Sequence, residues 1–283
     1  MNFACALLLA ALTVGTWNGE WFPSGRAEHR ADAKKEARTI RRAGEMLRRG
    51  LDRADPSGTN DLVLCFNEIR GEEEAKALLA AIGRPNLRLA VVSGYRRRDR
   101  FDQQQDVIAT TLPVVEANWS RWKNSWANTP PRGYAHARVV VSPSVTAEVY
   151  AVHLKSNYGQ TSDAIAATNR LKRTLAVEQV VEQERPKRGR PAAKVIVAGD
   201  FNADRWNGKF REERIFDIFE KAGFMNCIEL LPEQDRVTHP GGEKWGDTAL
   251  DYVMVRGFEC YERPVVMSSE GLSDHEPVFV NLR

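Results

Sequence analysis

A succession of short apolar runs, each long enough for one β-strand and each closed by polar or turn-forming residues, narrows the folds open to this chain of 283 residues. The runs are Leu12–Trp17, Asp61–Phe66, Leu87–Val92, Asp106–Thr111, Ala137–Val141, Tyr150–Leu154, Lys194–Ala198, Leu250–Val255, Pro264–Met267 and Val278–Leu282. Few segments between them read as helices. In Glu28–Leu51, Ala33, Ala37, Ile40, Ala43 and Leu47 recur at spacings of three and four, with Arg and Lys opposite. The others are Glu73–Ile82, Ala164–Glu184 and Glu213–Ala222. A doubly wound parallel sheet needs a helix after nearly every strand, and these helices are too few for one. The expected class is α/β of the α+β kind, with two packed, mainly antiparallel β-sheets flanked by helices. No stretch has the Pro, Gly or Ser content of a linker and nothing repeats, so residues 12–283 are expected to form a single domain.

Lys and Arg number 41 against 38 Asp and Glu, a balance that permits a polyanionic partner without demanding one. Arg96, Arg97, Arg98 and Arg100 form one basic cluster, and Arg185, Lys187, Arg188 and Arg190 another. Each taken singly also reads as a solvated loop or helix end. Cys5, Cys65, Cys227 and Cys260 lack the short paired spacing of a zinc site. Cys65 reads as buried in a strand, whereas Cys227 and Cys260 are free to pair in an exported protein. Met1–Ala11 is almost wholly apolar and resembles the hydrophobic part of a secretory signal, although no Lys or Arg precedes it. It is too short to span a membrane, and it reads alternatively as the lead-in to the first strand. A secreted or periplasmic location is the expectation, with a cytoplasmic one as the alternative.

Several strands end in oxygen- or imidazole-bearing residues: Asn18, Glu68, His153, Asp200 with Asn202, Asp251 at the start of its strand, and Asp274 with His275. Turn chemistry explains any one of these, since Asn and Asp accept backbone hydrogen bonds at loop starts. It does not explain all of them together. Oxygen ligands without a thiolate suit a hard cation such as magnesium or manganese better than zinc. Phosphoester hydrolysis uses that kind of site, with a base to activate water and donors to hold developing charge. An Asp paired with a His suits that base, because the carboxylate orients the ring and stabilises its protonated form. There is no Gly-x-Ser-x-Gly elbow, Walker loop or His-Glu-x-x-His helix to support another hydrolase scheme.

Thr16-Trp17-Asn18, Asn67-Glu68, Val152-His153-Leu154, Gly199-Asp200-Phe201-Asn202-Ala203-Asp204, Leu250-Asp251-Tyr252 and Ser273-Asp274-His275-Glu276-Pro277 follow one another in this order. The set resembles the endonuclease/exonuclease/phosphatase superfamily, which includes deoxyribonuclease I and exonuclease III-like repair enzymes, over nearly the whole chain. The resemblance implies a deoxyribonuclease I-like sandwich with its active site at one end. It implies Mg2+ as cofactor, with Mn2+ admitted by the same ligands, held by Asn18 and Glu68 with Asp274 as a further ligand. It makes Asp251 and His275 a dyad and has Asp200 orient or deprotonate the attacking water. Asn202 would hold a phosphate oxygen, and His153 would stabilise the transition state or protonate the leaving group. Arg132, Lys155 and Ser156 are weaker candidates for substrate contact. Asn67 departs from the pattern, since many relatives carry Gln there.

Nucleic acid is the expected substrate, acted on by a monomer with no stable protein partner and no membrane span. A small phosphoester or phospholipid headgroup is the alternative, and a binding protein of the same fold without turnover a second one. The absence of a Trp-Cys-Asp-Arg run at Ala249-Leu250-Asp251-Tyr252 lowers the inositol-phosphatase reading. Between residues 119 and 134, Trp119, Trp122, Trp126 and Tyr134 alternate with Arg121, Lys123 and Arg132. That mixture suits base stacking beside phosphate contacts, and equally a packed loop covering a sheet edge.

Overall fold

The computed structural model of the chain describes residues 11–25, 32–97, 100–124, 128–185, 193–242 and 246–283. The apolar segment before Ala11, the start of the first helix expected at Glu28, Arg98, Trp126 and the run Lys187, Arg188 and Arg190 lie outside the described residues. In chain order the elements are β1 (Leu12–Phe22), α1 (Ala33–Ala54), β2 (Asp61–Ile69), α2 (Glu72–Ile82), β3 (Arg88–Val92), β4 (Arg96–Arg97), β5 (Arg100–Phe101), β6 (Gln105–Thr110), β7 (Val114–Arg121), β8 (Gly133–Ser142) and β9 (Val145–His153). There follow α3 (Asp163–Gln183), β10 (Lys194–Asp200), α4 (Ile215–Lys221), β11 (Met225–Asn226), β12 (Asp251–Arg256), β13 (Val265–Val266) and β14 (Val278–Leu282).

The strands form two six-stranded sheets, ordered β13-β14-β1-β2-β6-β3 and β11-β12-β10-β9-β8-β7, with β4 and β5 as a separate hairpin. Each large sheet is mixed. β1 and β2 are parallel in the first and β9 and β10 in the second, while every other neighbour is antiparallel. A parallel pair needs a crossover, and α1 and α3 supply them. The carboxyl ends of four central strands consequently reach one end of the sandwich.

Strand alternation divides the interior. Val63 and Cys65 of β2 face the second sheet and join Ala137, Val149, Val197 and Val253 in the larger core cluster. Leu62, Leu64 and Phe66 of the same strand face the other way, packing with Met46 and Leu47 of α1 and Leu78 of α2. Helix α1 begins at Ala33 because Asp32 caps it, its side chain accepting from Lys35 N at 2.9 Å. On the other side, Ala176, Val177 and Val180 of α3 and Phe216 and Phe219 of α4 complete the larger cluster.

The segment from Trp119 to Tyr134 is not one loop. Trp119 belongs to β7, an exposed edge strand, and Tyr134 to β8. Trp122 is buried with its ring 5.0 Å from that of Tyr134. β7 escapes a pattern search because Val115 to Trp119 are all exposed, so no alternation marks the strand. Cys227 and Cys260 form a disulfide, and Cys65 is a buried free thiol.

Candidate active site

Residues far apart in sequence meet at this end because the register brings them there. Asp200 closes β10 and pairs on one side with His153, the last residue of β9, and on the other with Asp251, the first of β12. The loop before β14 delivers His275, whose Nδ1 lies 2.7 Å from Asp251 Oδ2. Thr238 supports this pair: its hydroxyl donates to Asp251 Oδ2 at 2.8 Å and accepts from the amides of Leu250 and Asp251 at 2.9 Å. His275 Nε2 then faces Asp200 Oδ2 at 3.8 Å.

The Asp200 carboxylate is fully enclosed. Oδ2 accepts from Asn18 Nδ2 at 3.0 Å and Asn202 Nδ2 at 2.8 Å, and Oδ1 accepts from the Asn202 amide at 2.8 Å. His153 Nε2 stands 3.4 Å from Asp200 Oδ2 and 3.7 Å from Glu68 Oε1. Gly199 precedes Asp200 at φ +144°, and a Cβ there would meet the Val152 carbonyl oxygen at 1.9 Å. Only glycine lets β10 approach β9 so closely at this point. Behind the site, Asn67 Oδ1 accepts from the Asp200 amide at 3.0 Å while its Nδ2 donates to Asp106 Oδ1 at 2.7 Å. Glu20, Trp21, Glu68, Arg132 and Asn202 all have positive φ, a strained conformation for non-glycine residues that gathers at functional sites.

Burial and neighbouring charge divide the ionisable groups. Burial pushes the Asp200 carboxyl up to about 7, with His275 opposing. Burial acts against a charged His275, yet Asp251 and then Asp200 hold its imidazolium up to about 10. His153 is driven well below the usual histidine range, first by burial and then by Arg132, His275 and Lys155, so its ring is neutral. Burial, with Arg132, Lys172 and Arg173, brings Lys155 down to about 8. His153 Nδ1 and Asp251 Oδ1 are buried with no hydrogen-bond partner among the described residues.

The remaining candidates lie at the rim or behind the site. Asp274 is half exposed. Its amide donates to Glu20 Oε2 at 3.0 Å, and its carboxylate lies 3.7 Å from His239 Nε2 and 3.8 Å from His275 Nε2. Arg132 turns its guanidinium onto Gln104 Oε1 and the carbonyl oxygens of His153 and Leu154, at 3.1 to 3.4 Å, bracing the end of β9. Lys155 Nζ donates to the Ser156 carbonyl, and Ser156 Oγ accepts from the Tyr158 amide at 3.0 Å. Asn18, Glu68, His153, Asp200, Asn202, Asp251 and His275 thus come together, Asp274 borders them, and Arg132, Lys155 and Ser156 engage backbone.

A family model described as the Endonuclease/Exonuclease/phosphatase family matches residues 15–275. The chain belongs to this family. No curated protein sequence matches it significantly. Among solved structures, it is similar to an endonuclease/exonuclease/phosphatase family protein from Leptotrichia buccalis C-1013-b, with TM-score 0.62 and 13% identity over 96% of this chain and 99% of that one. D. rerio TDP2 in complex with a single-strand DNA product aligns with TM-score 0.60 and 14% identity over 97% and 99%. Sphingomyelinase C from Streptomyces griseocarneus aligns with TM-score 0.58 and 17% identity over 96% and 99%. At these identities the likeness is one of fold, the two-sheet sandwich described above.

In this family member the donors suit a hard cation. Asn18 Oδ1 and Glu68 Oε2 lie under one turn, accepting from the amides of Glu20 at 3.0 Å and Trp21 at 3.1 Å. Burial first, and then the nearby Asp274 and Glu68 carboxylates, raise the Glu20 carboxyl above its ordinary range. Sequence reasoning passed over Glu20, Asp106 and Thr238, which support the site, and over His239, which lies at its rim outside the catalytic set. Asp106 carried a signal, an acid opening an otherwise apolar strand; the other three carried none.

Proposed function

We propose that the chain is a metal-dependent phosphodiesterase that cleaves nucleic acid by activating water. The carrying observation is the placement of Asp200, a fully buried carboxylate bracketed by His153 and His275 and held by Asn18 and Asn202, where burial raises its carboxyl above the usual carboxylate range. A base poised near the working pH takes a proton from water most effectively. His275, kept cationic by Asp251, donates to the charge that develops on phosphorus oxygens, and neutral His153 adds a second donor. Asn202 positions the Asp200 carboxylate through both its amides. Asn18, Glu68 and Asp274 would hold Mg2+, or Mn2+ on the same oxygens, which when bound neutralises phosphate charge.

Nucleic acid is favoured by what flanks the site. Arg121 pairs with Gly133 and Tyr134 with Val152, so β7 ends at the same end of the sandwich as His153. Trp119 stands there 40% exposed, edge-on to Tyr95, about two strand spacings, or ~10 Å, from β9. Tyr158, 85% exposed, follows His153 on the Lys155 loop. Exposed rings beside Arg and Lys suit a strand whose bases stack and whose phosphates need countercharge. The disulfide supports the reading that the protein works in an oxidising compartment, secreted or periplasmic.

The test is hydrolysis of plasmid DNA, single-stranded RNA and bis-p-nitrophenyl phosphate with Mg2+, with EDTA and His275→Ala as controls. Cleavage of nucleic acid lost in both controls is expected. Cleavage of the generic ester alone moves the substrate to a small phosphoester, and inertness toward all three rejects the nucleic-acid reading in favour of a narrower substrate or a binding role.

A further inference from the structure

His239 has no task in the hydrolysis proposed above, yet it stands at the rim in a prepared position. Its ring lies edge-on to that of His275 with centroids 5.0 Å apart. Its Nε2 is 3.7 Å from Asp274 Oδ2, and His275 Nε2 is 3.8 Å from Asp274 Oδ1. One ligand atom from each of the three residues falls within 4.8 Å of the others. The opposite nitrogen of each ring is already engaged: His275 Nδ1 with Asp251 Oδ2 at 2.7 Å, and His239 Nδ1 with Thr248 Oγ1 at 3.4 Å. Paired backbone hydrogen bonds between His239 and Thr248, at 2.9 and 3.0 Å, fix the residue that carries the ring.

This is how proteins ready histidines for a metal, with one nitrogen oriented by a neighbouring group and the other presented. Zinc binds imidazole nitrogen and carboxylate oxygen at about 2.0–2.2 Å, so tetrahedral ligands sit roughly 3.4 Å apart. The two nitrogen–oxygen separations, each to a different Asp274 oxygen, are a few tenths of an ångström longer, and one atom from each residue falls within 4.8 Å of the others, so rotation of the half-exposed Asp274 and of the His239 ring is needed to close the site. Asp274 is half exposed and opens the site to solvent. Two imidazoles and one carboxylate favour a borderline cation, whereas magnesium prefers oxygen throughout.

We propose that His239, Asp274 and His275 form a binding site for a borderline divalent cation, Zn2+ foremost, whose occupancy switches hydrolysis off. The ion takes the place of the proton on His275 Nε2, which passes to solvent, and it removes the donor that faces Asp200. It also draws on Asp274, the outermost of the oxygens proposed for Mg2+. The binding half stands on the geometry alone; the inhibitory half rests on the proposed function.

The experiment uses the full, tag-free chain. Calorimetric titration with Zn2+ at constant Mg2+ should find one site per chain that is at least ~10-fold weaker in His239→Ala and in His239→Asn. Co2+ in place of Zn2+ should give visible absorption in the wild type and lose it in both variants. Both variants should keep the basal hydrolysis rate and thermal midpoint, while Zn2+ inhibition, reversed by a chelator in the wild type, disappears. No Zn2+ binding, or equal affinity or inhibition in wild type and variants, overturns the proposal. If no phosphoester is hydrolysed, calorimetry and Co2+ absorption still decide the metal site, and the failure falls on the proposed function.

Discussion

Asp106→Asn should change how stability depends on pH, and the structure supplies the size of the effect. Asp106 is fully buried and accepts from Asn67 Nδ2 at 2.7 Å and from the Tyr95 hydroxyl at 2.9 Å. Burial raises its carboxyl from 3.8 to about 7, outweighing Asn67, Arg132 and Tyr95, which favour the anion. A carboxyl raised on folding binds its proton more tightly in the native state. Its contribution is complete below pH 3.8 and is lost as pH rises through about 7. Roughly three pH units at 1.36 kcal/mol each give about 4 kcal/mol. Asparagine keeps an acceptor for Asn67 and a donor for Tyr95 but never ionises. The stability difference between variant and wild type should therefore move by about 4 kcal/mol in favour of the variant between pH 4 and pH 8. Urea denaturation in EDTA at several pH values measures it. A difference that stays constant across that range refutes burial as the force acting on Asp106. By contrast, Asp106→Ala leaves two buried donors unsatisfied and should destabilise by about 2–6 kcal/mol near pH 4, a difference that narrows by the same roughly 4 kcal/mol toward pH 8 because alanine does not ionise either.

Hydrolysis should follow a bell in pH: a base must be deprotonated and a cationic donor protonated, so the rate rises through about 7 with Asp200 and falls near 10 with His275. Asp251→Asn should lower the rate by about 10²–10⁴-fold and shift the alkaline limb to lower pH, and an unmoved limb would separate Asp251 from His275. Glu213→Ala should destabilise by about 3–5 kcal/mol in urea melts, because it strands the buried Arg173 guanidinium, which also holds the Lys155 carbonyl at 2.7 Å. Replacing Cys227 and Cys260 together by Ser opens a loop of sequence separation 33 and should cost about 3–4 kcal/mol, which unchanged urea midpoints would contradict.

Most elements were legible in the sequence because their physics is local. Helix α3 is expected at Ala164–Glu184 and spans Asp163–Gln183; strand β14 is expected and found at Val278–Leu282. Periodicity and capping act within a few residues, so short windows reveal them. The strand-end residues Asn18, Glu68, His153, Asp200 and His275 were also visible as chemistry, since their side chains are what strand ends rarely assemble by chance.

What the sequence by itself determined was which groups were present and in what order. Which of them touch was decided by register and by the packing of the two sheets. Asn18 and Asp200 are 182 residues apart and bond at 3.0 Å because β1 and β10 end at the same end of the sandwich. His239 and Thr238 sit in an unremarkable stretch and gain meaning only when that stretch folds over Asp251 and His275. Arg132, basic and open to phosphate in the sequence, is turned onto the His153 and Leu154 carbonyls. The same holds for protonation. Asp200, Asp106 and His275 are ordinary side chains until burial removes water from around their charges and fixed neighbours replace it, and no local pattern of residues encodes that exchange.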